Sequence, residues 1–428
     1  MHALVERSRI DDVRVTRLAN GLTVATDAMP GIETAALGVW VGVGTRNEPR
    51  EINGVAHLLE HMAFKGTRRR SARDISVEIE SVGGHLNAYT SRENTAYYAR
   101  VLGDDVPLAL DILADILQHS TFDATELDRE RAVVLQEIGQ AEDTPDDVVF
   151  DYFQATAYPD QALGRPVLGT ADIVGAMTGE TIRGYMRRHY TGQQLVLAGA
   201  GKVDHDQLVA LAETAFTELP TAGLPPAEEA LYVGGDFRDA RDLEQVHLVL
   251  GLPGIGYKDP DYYASSVYST LLGGGMSSRL FQEIREKRGL VYSIYSFASA
   301  YVDGGVFGVY AGTGEAEVAE LVPLVCAEMA KSGDGIDVEE VRRARAQLRA
   351  GILMARESPS SRCEQLAQQL LVYGRPLAMD EVIARVEAVD VAQVSRVAQR
   401  VLAGPLTLTA LGPIDRLEPY AAIAARLR

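Results

Sequence analysis

The chain begins with alternating hydrophobic and polar positions and then changes to helical spacing. Alternation over about residues 13–18, 21–26 and 34–43, with Gly, Pro or Asn at the boundaries, predicts strands of one sheet. Apolar residues then recur every three or four positions, which predicts helices with further strands between them. The helices are expected at about 54–65, 73–82, 104–118, 123–142 and 179–190, and the strands within 84–101 and at 194–199. Runs of strands and runs of helices predict an α+β fold.

A segment near the middle of the chain separates two halves. Residues 219–228 contain three prolines and a glycine and show no hydrophobic period. Such composition is typical of a linker, so we expect domains at 1–220 and 221–428. Two domains of ordinary size also suit a chain of 428 residues.

The second half repeats features of the first. The segment Gly44–Pro49 resembles Gly256–Asp261 at an offset of 212 residues, and both follow an apolar strand and precede a helix. The segment Glu126–Ala132 resembles Glu340–Ala346 at an offset of 214. Two separate blocks with nearly the same offset predict the duplication of a unit of about 210 residues.

Composition and charge restrict the classes of function. With 46% hydrophobic residues and 24% charged residues, the chain is neither disordered nor of low complexity. Its net charge of −19 disfavours nucleic acid and anionic membranes as partners and favours a basic substrate. Cys326 and Cys363 are too few for a disulfide framework, and we expect both to be small buried apolar residues.

We expect neither a signal peptide nor a membrane span, because no apolar segment approaches roughly 20 residues. The expected location is a bacterial cytoplasm, although a mature protein of the mitochondrial matrix would have the same features.

The clearest chemical motif is His57-Leu-Leu-Glu60-His61, in a predicted helix. His57 and His61 are one turn apart on one helix face, so both imidazoles can bind the same metal ion. Glu60 lies beside that face and can take a proton from a metal-bound water without being a ligand. A zinc site for hydrolysis is therefore the prediction. The alternative is a surface helix that happens to carry two histidines.

A third zinc ligand is expected from another element. The predicted helix over 123–142 offers Glu130 and Glu137, which are seven residues apart and therefore on one face. Glu137 could complete the zinc site, and Glu130 could orient a ligand through a hydrogen bond. Taken alone, this pair is weak evidence, because glutamate-rich helix faces are usually just solvated.

The repeat places none of these residues in the second half. At the first offset, Ser269, Leu272 and Gly273 stand for His57, Glu60 and His61. At the second offset, the positions of Glu130 and Glu137 are taken by Ala344 and Gly351. One half would therefore be catalytic, and the other half would have a different task.

Several motifs together resemble the pitrilysin-type inverted zincins, in the branch of mitochondrial and bacterial processing peptidases. The resemblance covers nearly the whole chain. The matching features are the His57–His61 motif, the strand Gly83–Ser91, the pair Glu130 and Glu137, and the segment Arg285–Tyr292. The resemblance implies two homologous domains, each a mostly antiparallel sheet with helices packed on it, that dimerise as a clamshell. It also implies one Zn²⁺ per chain.

The resemblance assigns roles to residues of the first half. His57, His61 and Glu137 would bind zinc, Glu60 would be the general base, and Glu130 would support the site. Asn87, Ala88 and Tyr89 would belong to an edge strand to which an extended peptide adds as a further strand. Phe64 would contact the side chain that follows the cleaved bond. Alternatively, the strand that contains Asn87 is part of an ordinary hairpin, and Phe64 is a core residue.

In the second half, Arg288 and Tyr292 resemble the pair that reaches substrate in the closed enzyme and stabilises developing negative charge. Asp147 and Asp151 resemble acidic residues that recognise an arginine before the cleaved bond. Alternatively, Arg288 is a surface charge and Tyr292 is a packed aromatic residue. Asp147 and Asp151 could equally be the acidic residues that are favoured at the start of a helix. The non-catalytic subunit of the mitochondrial enzyme is recognised by a long glycine-rich loop. The run Gly273–Met276 is short, so the chain resembles the catalytic subunit instead.

The expected function is therefore that of a zinc metalloendopeptidase acting on extended, basic or unfolded peptides, as a homodimer. Two alternatives remain: a non-catalytic core subunit of a membrane complex, and the catalytic half of a heterodimer with a degenerate homologue.

Overall fold

The computed structural model describes residues 6–10, 12–221 and 228–427. The predicted linker 219–228 lies largely outside the described residues. The chain forms two compact units, and each of them is discontinuous in sequence. The first unit comprises Met1–Gly139, Arg165–Glu228 and Met354–Ala378, and the second comprises Gln140–Gly164, Glu229–Leu353 and Met379–Arg428.

The elements of the first half agree with the pattern of the sequence. The strands are β1 Glu6–Ile10, β2 Val13–Arg17, β3 Thr23–Ala28, β4 Thr34–Val41, β5 His85–Thr90, β6 Thr95–Leu102 and β7 Leu195–Gly201. The helices are α1 Val55–Ala63, α2 Ala72–Ser81, α3 Val106–His119, α4 Ala124–Glu142, α5 Pro145–Ala157, α6 Ala171–Ala176, α7 Gly179–His189 and α8 His205–Ala215.

The second half contains the corresponding elements. Its strands are β8 Gly235–Ala240, β9 Val246–Pro253, β10 Val291–Ala300, β11 Gly305–Thr313 and β12 Thr407–Gly412. Its helices are α9 Tyr262–Gly273, α10 Val318–Lys331, α11 Val338–Ala355, α12 Pro359–Tyr373, α13 Met379–Glu387, α14 Val391–Leu402 and α15 Tyr420–Arg426.

The sheet of the first unit has the order β1-β2-β3-β7-β4-β6-β5. Only the β3–β7 pair is parallel among its described pairs. Strand β5 lies at one edge, so one of its sides has no strand partner in the described sheet. The main core packs α1, α3 and α7 against one face of this sheet, through buried residues such as Leu37, Leu59 and Leu113.

The sheet of the second unit, β10-β11-β9-β12-β8, repeats the order β5-β6-β4-β7-β3 of the first. Its parallel pair, β12 with β8, also corresponds to β7 with β3. Strand β9 begins 212 residues after β4, and α11 begins 214 residues after α4. The predicted α+β fold and the duplication are confirmed.

Each unit takes one helix from the other half of the sequence. In the second unit, α5 buries Val149 and Phe153 against the sheet. A Cβ at Gly251 of β9 would lie 2.0 Å from the Phe153 ring, so this packing requires glycine there. In the first unit, α12 buries Cys363 and Leu366 on the sheet face opposite the main core. A single cut between residues 220 and 221 therefore leaves α5 and α12 apart from the sheets that they cover.

Both cysteines are buried, as expected from the sequence. Burial raises the pKa of the Cys326 thiol to about 12 and that of the Cys363 thiol even further. None of the helices in the described part of the chain combines the length and apolar character needed to span a bilayer.

Candidate metal centre

The helix that carries the histidine motif, α1, has a start fixed by a glycine and a buried carboxylate. Gly54 adopts a φ of +93°, and a Cβ there would lie 2.7 Å from the carbonyl oxygen of Leu168. The carboxylate of Glu48 accepts hydrogen bonds from the backbone N–H groups of Gly54 and Ala56, each at 2.8 Å. It also accepts one from the Asn53 side-chain amide at 2.8 Å. The carboxyl group of Glu48 thus satisfies N–H groups at the start of the helix.

The opposite face of α1 is apolar and packs into the core, with Leu58, Leu59 and Met62 fully buried. The spacing of these residues leaves His57 and His61 partly exposed on a common face. Their ring centroids are 4.7 Å apart. The prediction that both imidazoles share one helix face is confirmed.

Helix α4 brings the carboxylate of Glu137 to these two rings. Its Oε2 lies 3.6 Å from Nε2 of His57 and 3.5 Å from Nε2 of His61. One ligand atom from each of the three residues lies within 4.8 Å of the other two. Two imidazole nitrogens and one carboxylate are a common protein ligand set of catalytic zinc, which leaves a further position for water or substrate.

The protonation state of His57 suits a metal. Burial, and to a smaller extent the neighbouring His61, lower the pKa of His57 to about 4, so its ring is neutral at pH 7. Nδ1 of His61 lies 3.1 Å from Oε2 of Glu130. Because a carboxylate oxygen accepts hydrogen bonds, Nδ1 of His61 is the donor of this contact, and Nε2 is the nitrogen that faces Glu137.

Glu130 is only 6% exposed and is held on both sides. One carboxylate oxygen faces His61, and Nζ of Lys65 lies 2.7 Å from the other. Lys65 is one turn after His61 in sequence, next to the end of α1. These contacts hold the His61 ring in one orientation. The support of a zinc site by Glu130 stays a prediction.

Glu60 does not belong to the set of three ligand residues. Its Oε2 accepts a hydrogen bond of 2.6 Å from the hydroxyl of Thr90, the last residue of β5. Burial raises the pKa of Glu60 above its ordinary value. A partly buried carboxylate with a raised pKa, next to three candidate ligand residues, has the properties that a general base requires.

Strand β5 contains the residues expected to bind substrate backbone. Asn87 is exposed, whereas Ala88 and Tyr89 are partly buried. These residues lie on an edge strand, as the role of peptide addition requires. Phe64 follows α1, is half-buried, and packs against the main core, with its ring 6.2 Å from that of Tyr97. Its predicted contact with substrate stays a prediction.

The remaining predicted residues belong to the second unit. The Arg288 guanidinium donates hydrogen bonds to the backbone carbonyl and to the carboxylate of Glu283, at 2.6 and 3.1 Å. Tyr292, near the start of β10, is 78% exposed. Asp147 is exposed in the first turn of α5, and Asp151 is partly exposed one turn later. The roles of these four residues stay predictions.

The counterparts of the ligands occupy corresponding helices of the second unit. Ser269 and Gly273 lie on α9, and Ala344 and Gly351 lie on α11. A Cβ at Gly273 would lie 2.3 Å from the backbone nitrogen of Ser296 on β10. A histidine is therefore excluded on steric grounds at the position that corresponds to His61.

Sequence reasoning missed Thr90, Lys65 and Glu48. Alternation along β5 places Thr90 on the same face as Ala88, and helical spacing places Lys65 one turn after His61, so both were accessible from local periodicity. Glu48 lies within the segment that revealed the repeat, but its contact with α1 depends on a turn that the pattern does not specify.

Two family models match the chain. The model described as Insulinase (Peptidase family M16) matches residues 23–171. The model described as Peptidase M16 inactive domain matches residues 176–348. The first range contains His57, Glu60, His61, Glu130 and Glu137. The second contains the replacements of the first four of these residues, and Gly351, the replacement of Glu137, lies three residues beyond it. The label of the second model agrees with this loss.

Relatives match over nearly the full length. A relative from Streptomyces coelicolor, named an uncharacterized zinc protease, is 41% identical over 95% of this chain and 90% of its own length. One of the same name from Rickettsia felis is 38% identical over 95% and 98%. A probable mitochondrial-processing peptidase subunit beta from Arabidopsis thaliana is 40% identical over 96% and 80%.

A solved structure agrees in fold. A chain of Complex III2 from Candida albicans, bound to Inz-5, superimposes with a TM-score of 0.84 at 22% identity. The match covers 96% of this chain and 99% of that chain. At this identity the likeness concerns the fold alone.

Proposed function

Because the chain belongs to peptidase family M16, a family of metallopeptidases, we propose that it is a zinc endopeptidase of extended, basic or unfolded peptides. The predicted family and enzyme class are confirmed. Zinc, the predicted cofactor, agrees with the names of the relatives. The observation that carries the proposal is the approach of His57, His61 and Glu137 to within 4.8 Å of one another.

These three residues would hold one Zn²⁺ ion. When bound, the ion supplies Lewis acidity for a peptide carbonyl and lowers the pKa of a water molecule. Glu60 takes the proton of the attacking water and passes it to the leaving amine. Thr90 holds the Glu60 carboxylate in place through its 2.6 Å hydrogen bond. Glu130 keeps the His61 ring oriented.

Substrate would add to the open edge of β5 as an extended strand. Backbone groups of the strand that contains Asn87, Ala88 and Tyr89 would pair with the peptide, which gives affinity with little demand on sequence. Phe64 would contact the side chain after the cleaved bond. Asp147 and Asp151 would attract a basic residue before it, in agreement with the net charge of −19.

Arg288 and Tyr292 would hold substrate and stabilise the charge that develops on the carbonyl oxygen. A chain with one zinc site and one such pair suits a clamshell formed by two chains. We propose a homodimer, with a heterodimer as the alternative. A mass measurement in solution, together with activity of the purified chain alone, separates them. The proposed location is a bacterial cytoplasm or a mitochondrial matrix, and the relatives include bacterial and mitochondrial proteins.

A second candidate function, a core subunit without catalysis, is favoured by the likeness of fold to a Complex III2 chain. The intact ligand set argues against it, because a scaffold has no need for two imidazoles and a carboxylate around one point. Copurification with a membrane complex, without zinc, would support the scaffold.

The deciding experiment compares wild-type protein with Glu60→Gln on a mixed peptide library, with and without a chelator. The proposal expects one zinc per chain in both proteins, and chelator-sensitive cleavage by wild type alone. The products, once sequenced, should show basic residues near the cuts. Zinc-loaded wild type that cuts no peptide, or full activity of Glu60→Gln, would refute the proposal.

A further inference from the structure

Strand β5 separates the metal centre from a cavity of about 520 Å³ in the first unit. Successive side chains of a strand point to opposite faces. Thr90 contacts Glu60 on one face, and Leu86 and Ala88 pack against the main core. His85, Asn87 and Tyr89, the alternate residues, line the cavity, together with α12.

The cavity has an aromatic wall and a carboxylate. The wall is formed by Trp40, Tyr89 and Tyr98 from three adjacent strands, and Glu364 comes from α12. Nε1 of Trp40 donates a hydrogen bond of 3.1 Å to the Tyr89 hydroxyl, which in turn donates one of 3.0 Å to Oε1 of Glu364. Glu364 is exposed and has no ion pair among the described residues. Its second oxygen is therefore available to a ligand.

The positive residue of the cavity, Arg100, lies at its other end. Arg100 and His85 line both this cavity and a smaller neighbour of about 350 Å³. Trp40, Tyr89 and Glu364 line only the larger one. The part of the cavity that is not shared therefore combines aromatic faces with a negative charge. A cation is attracted both to aromatic faces and to a carboxylate.

We propose that this cavity is a subsite for a lysine or arginine side chain of the substrate. The inference rests on the proposed addition of a peptide to β5. Side chains of neighbouring strands on the same face lie about 4.5–5.5 Å apart at Cβ, so a residue beside Asn87 can extend a long side chain to Glu364. In the bound peptide, a residue whose side chain points to the metal centre is then flanked by residues whose side chains point to the cavity. The protein therefore prefers lysine or arginine at alternate positions of the peptide.

Trp40 is the single tryptophan of the chain, so its fluorescence reports on this cavity. The test uses zinc-loaded Glu60→Gln protein, which should bind peptides without cutting them. A lysine is moved along a neutral peptide, and each peptide is compared with a norleucine version. The expected result is about fivefold tighter binding of lysine at alternate positions, with a change in Trp40 fluorescence.

The second variant is Glu364→Gln, in the same background. Glutamine keeps an oxygen that accepts from the Tyr89 hydroxyl but removes the charge. The lysine preference should fall to near unity. Glu80→Gln, an exposed residue of α2 outside the cavity, removes the same charge and should leave the preference unchanged.

Equal affinity for lysine and norleucine peptides at every position would overturn the subsite. So would a preference for acidic residues that Arg100→Gln removes. Failure of the proposed function is recognised separately, as the absence of chelator-sensitive cleavage by wild-type protein. A lysine preference that depends on Glu364 would support the subsite even then.

Discussion

The Thr90 hydroxyl donates a hydrogen bond of 2.6 Å to Oε2 of Glu60 and thereby joins β5 to α1. Thr90 ends the strand proposed to bind substrate, and Glu60 is the proposed general base. The position of the base relative to the substrate strand is therefore set by a direct contact.

Replacing this threonine tests the connection. Thr90→Val keeps the side-chain shape but removes the hydroxyl, so a hydrogen bond to a charged group is lost. Such bonds contribute about 1.5–3 kcal/mol, which corresponds to a fall in kcat of roughly 10- to 100-fold. Steady-state kinetics and zinc analysis should show reduced kcat with unchanged metal content. Thr90→Ser should recover most of the activity, and an unchanged kcat in Thr90→Val would contradict the role.

The support of His61 by Glu130 predicts an effect on metal affinity. Glu130→Gln weakens the hydrogen bond that fixes the His61 ring, and changes of this kind lower zinc affinity about 10- to 100-fold. Competition with a chelator measures the dissociation constant. The matched control is Asp128→Asn, which changes a mostly exposed residue of the same helix. Equal zinc affinity in Glu130→Gln and the control would exclude the role.

The buried Glu48 predicts a dependence of stability on pH. Burial raises its pKa in the folded protein from 4.5 to about 7, against the opposing effect of its hydrogen bonds and of Arg165. Between these values the folded state holds the proton more tightly than the unfolded state. The contribution of Glu48 to the free energy of unfolding is therefore complete below pH 4.5 and is lost as the pH rises through 7.

Chemical denaturation at pH 5 and pH 8 of wild type and Glu48→Gln measures this contribution. The unfolding free energy of wild type, relative to that of Glu48→Gln, should fall by about 2.5 kcal/mol as the pH rises from 5 to 8. Glu80→Gln serves as the control for an exposed glutamate. A difference that does not vary with pH would mean that the Glu48 carboxyl has the same pKa in both states.

Arg288 and Tyr292 should affect catalysis without affecting zinc. Each would contribute a hydrogen bond to substrate or to the developing oxyanion, so Arg288→Ala or Tyr292→Phe should lower kcat/KM by about 10- to 1000-fold. Metal analysis should still give one zinc per chain. Arg342→Ala, a mostly exposed arginine on α11, provides the comparison. Normal kcat/KM in both variants would remove the pair from the mechanism.

Local periodicity was sufficient to predict much of the fold and of the site. Helical spacing around His57 placed both imidazoles on one face, and the spacing of Glu130 and Glu137 placed both carboxylates on one helix. These features depend on positions a few residues apart, which sequence reveals directly. The repeat offset predicted the corresponding elements of both halves, because duplication preserves the order of strands.

Contacts between distant elements were beyond such reasoning. The bond between Thr90 and Glu60 depends on how β5 packs beside α1, and the cap by Glu48 depends on the turn before Gly54. Helical spacing can show that one face of α12 is apolar, but it does not show which sheet that face contacts. A pattern of apolar residues identifies the face of a helix and leaves its partner undetermined.

The exchange of α5 and α12 constrains the order in which the molecule can mature during synthesis. The sheet of the first unit exposes Trp40 and its apolar neighbours on one face until α12 covers them, and α12 ends only at Tyr373. A ribosome must therefore translate most of the 428 residues before the first unit can be complete. A nascent chain stopped at its midpoint would contain every proposed zinc ligand and still lack a finished fold, which delays any proteolytic activity until synthesis is almost over.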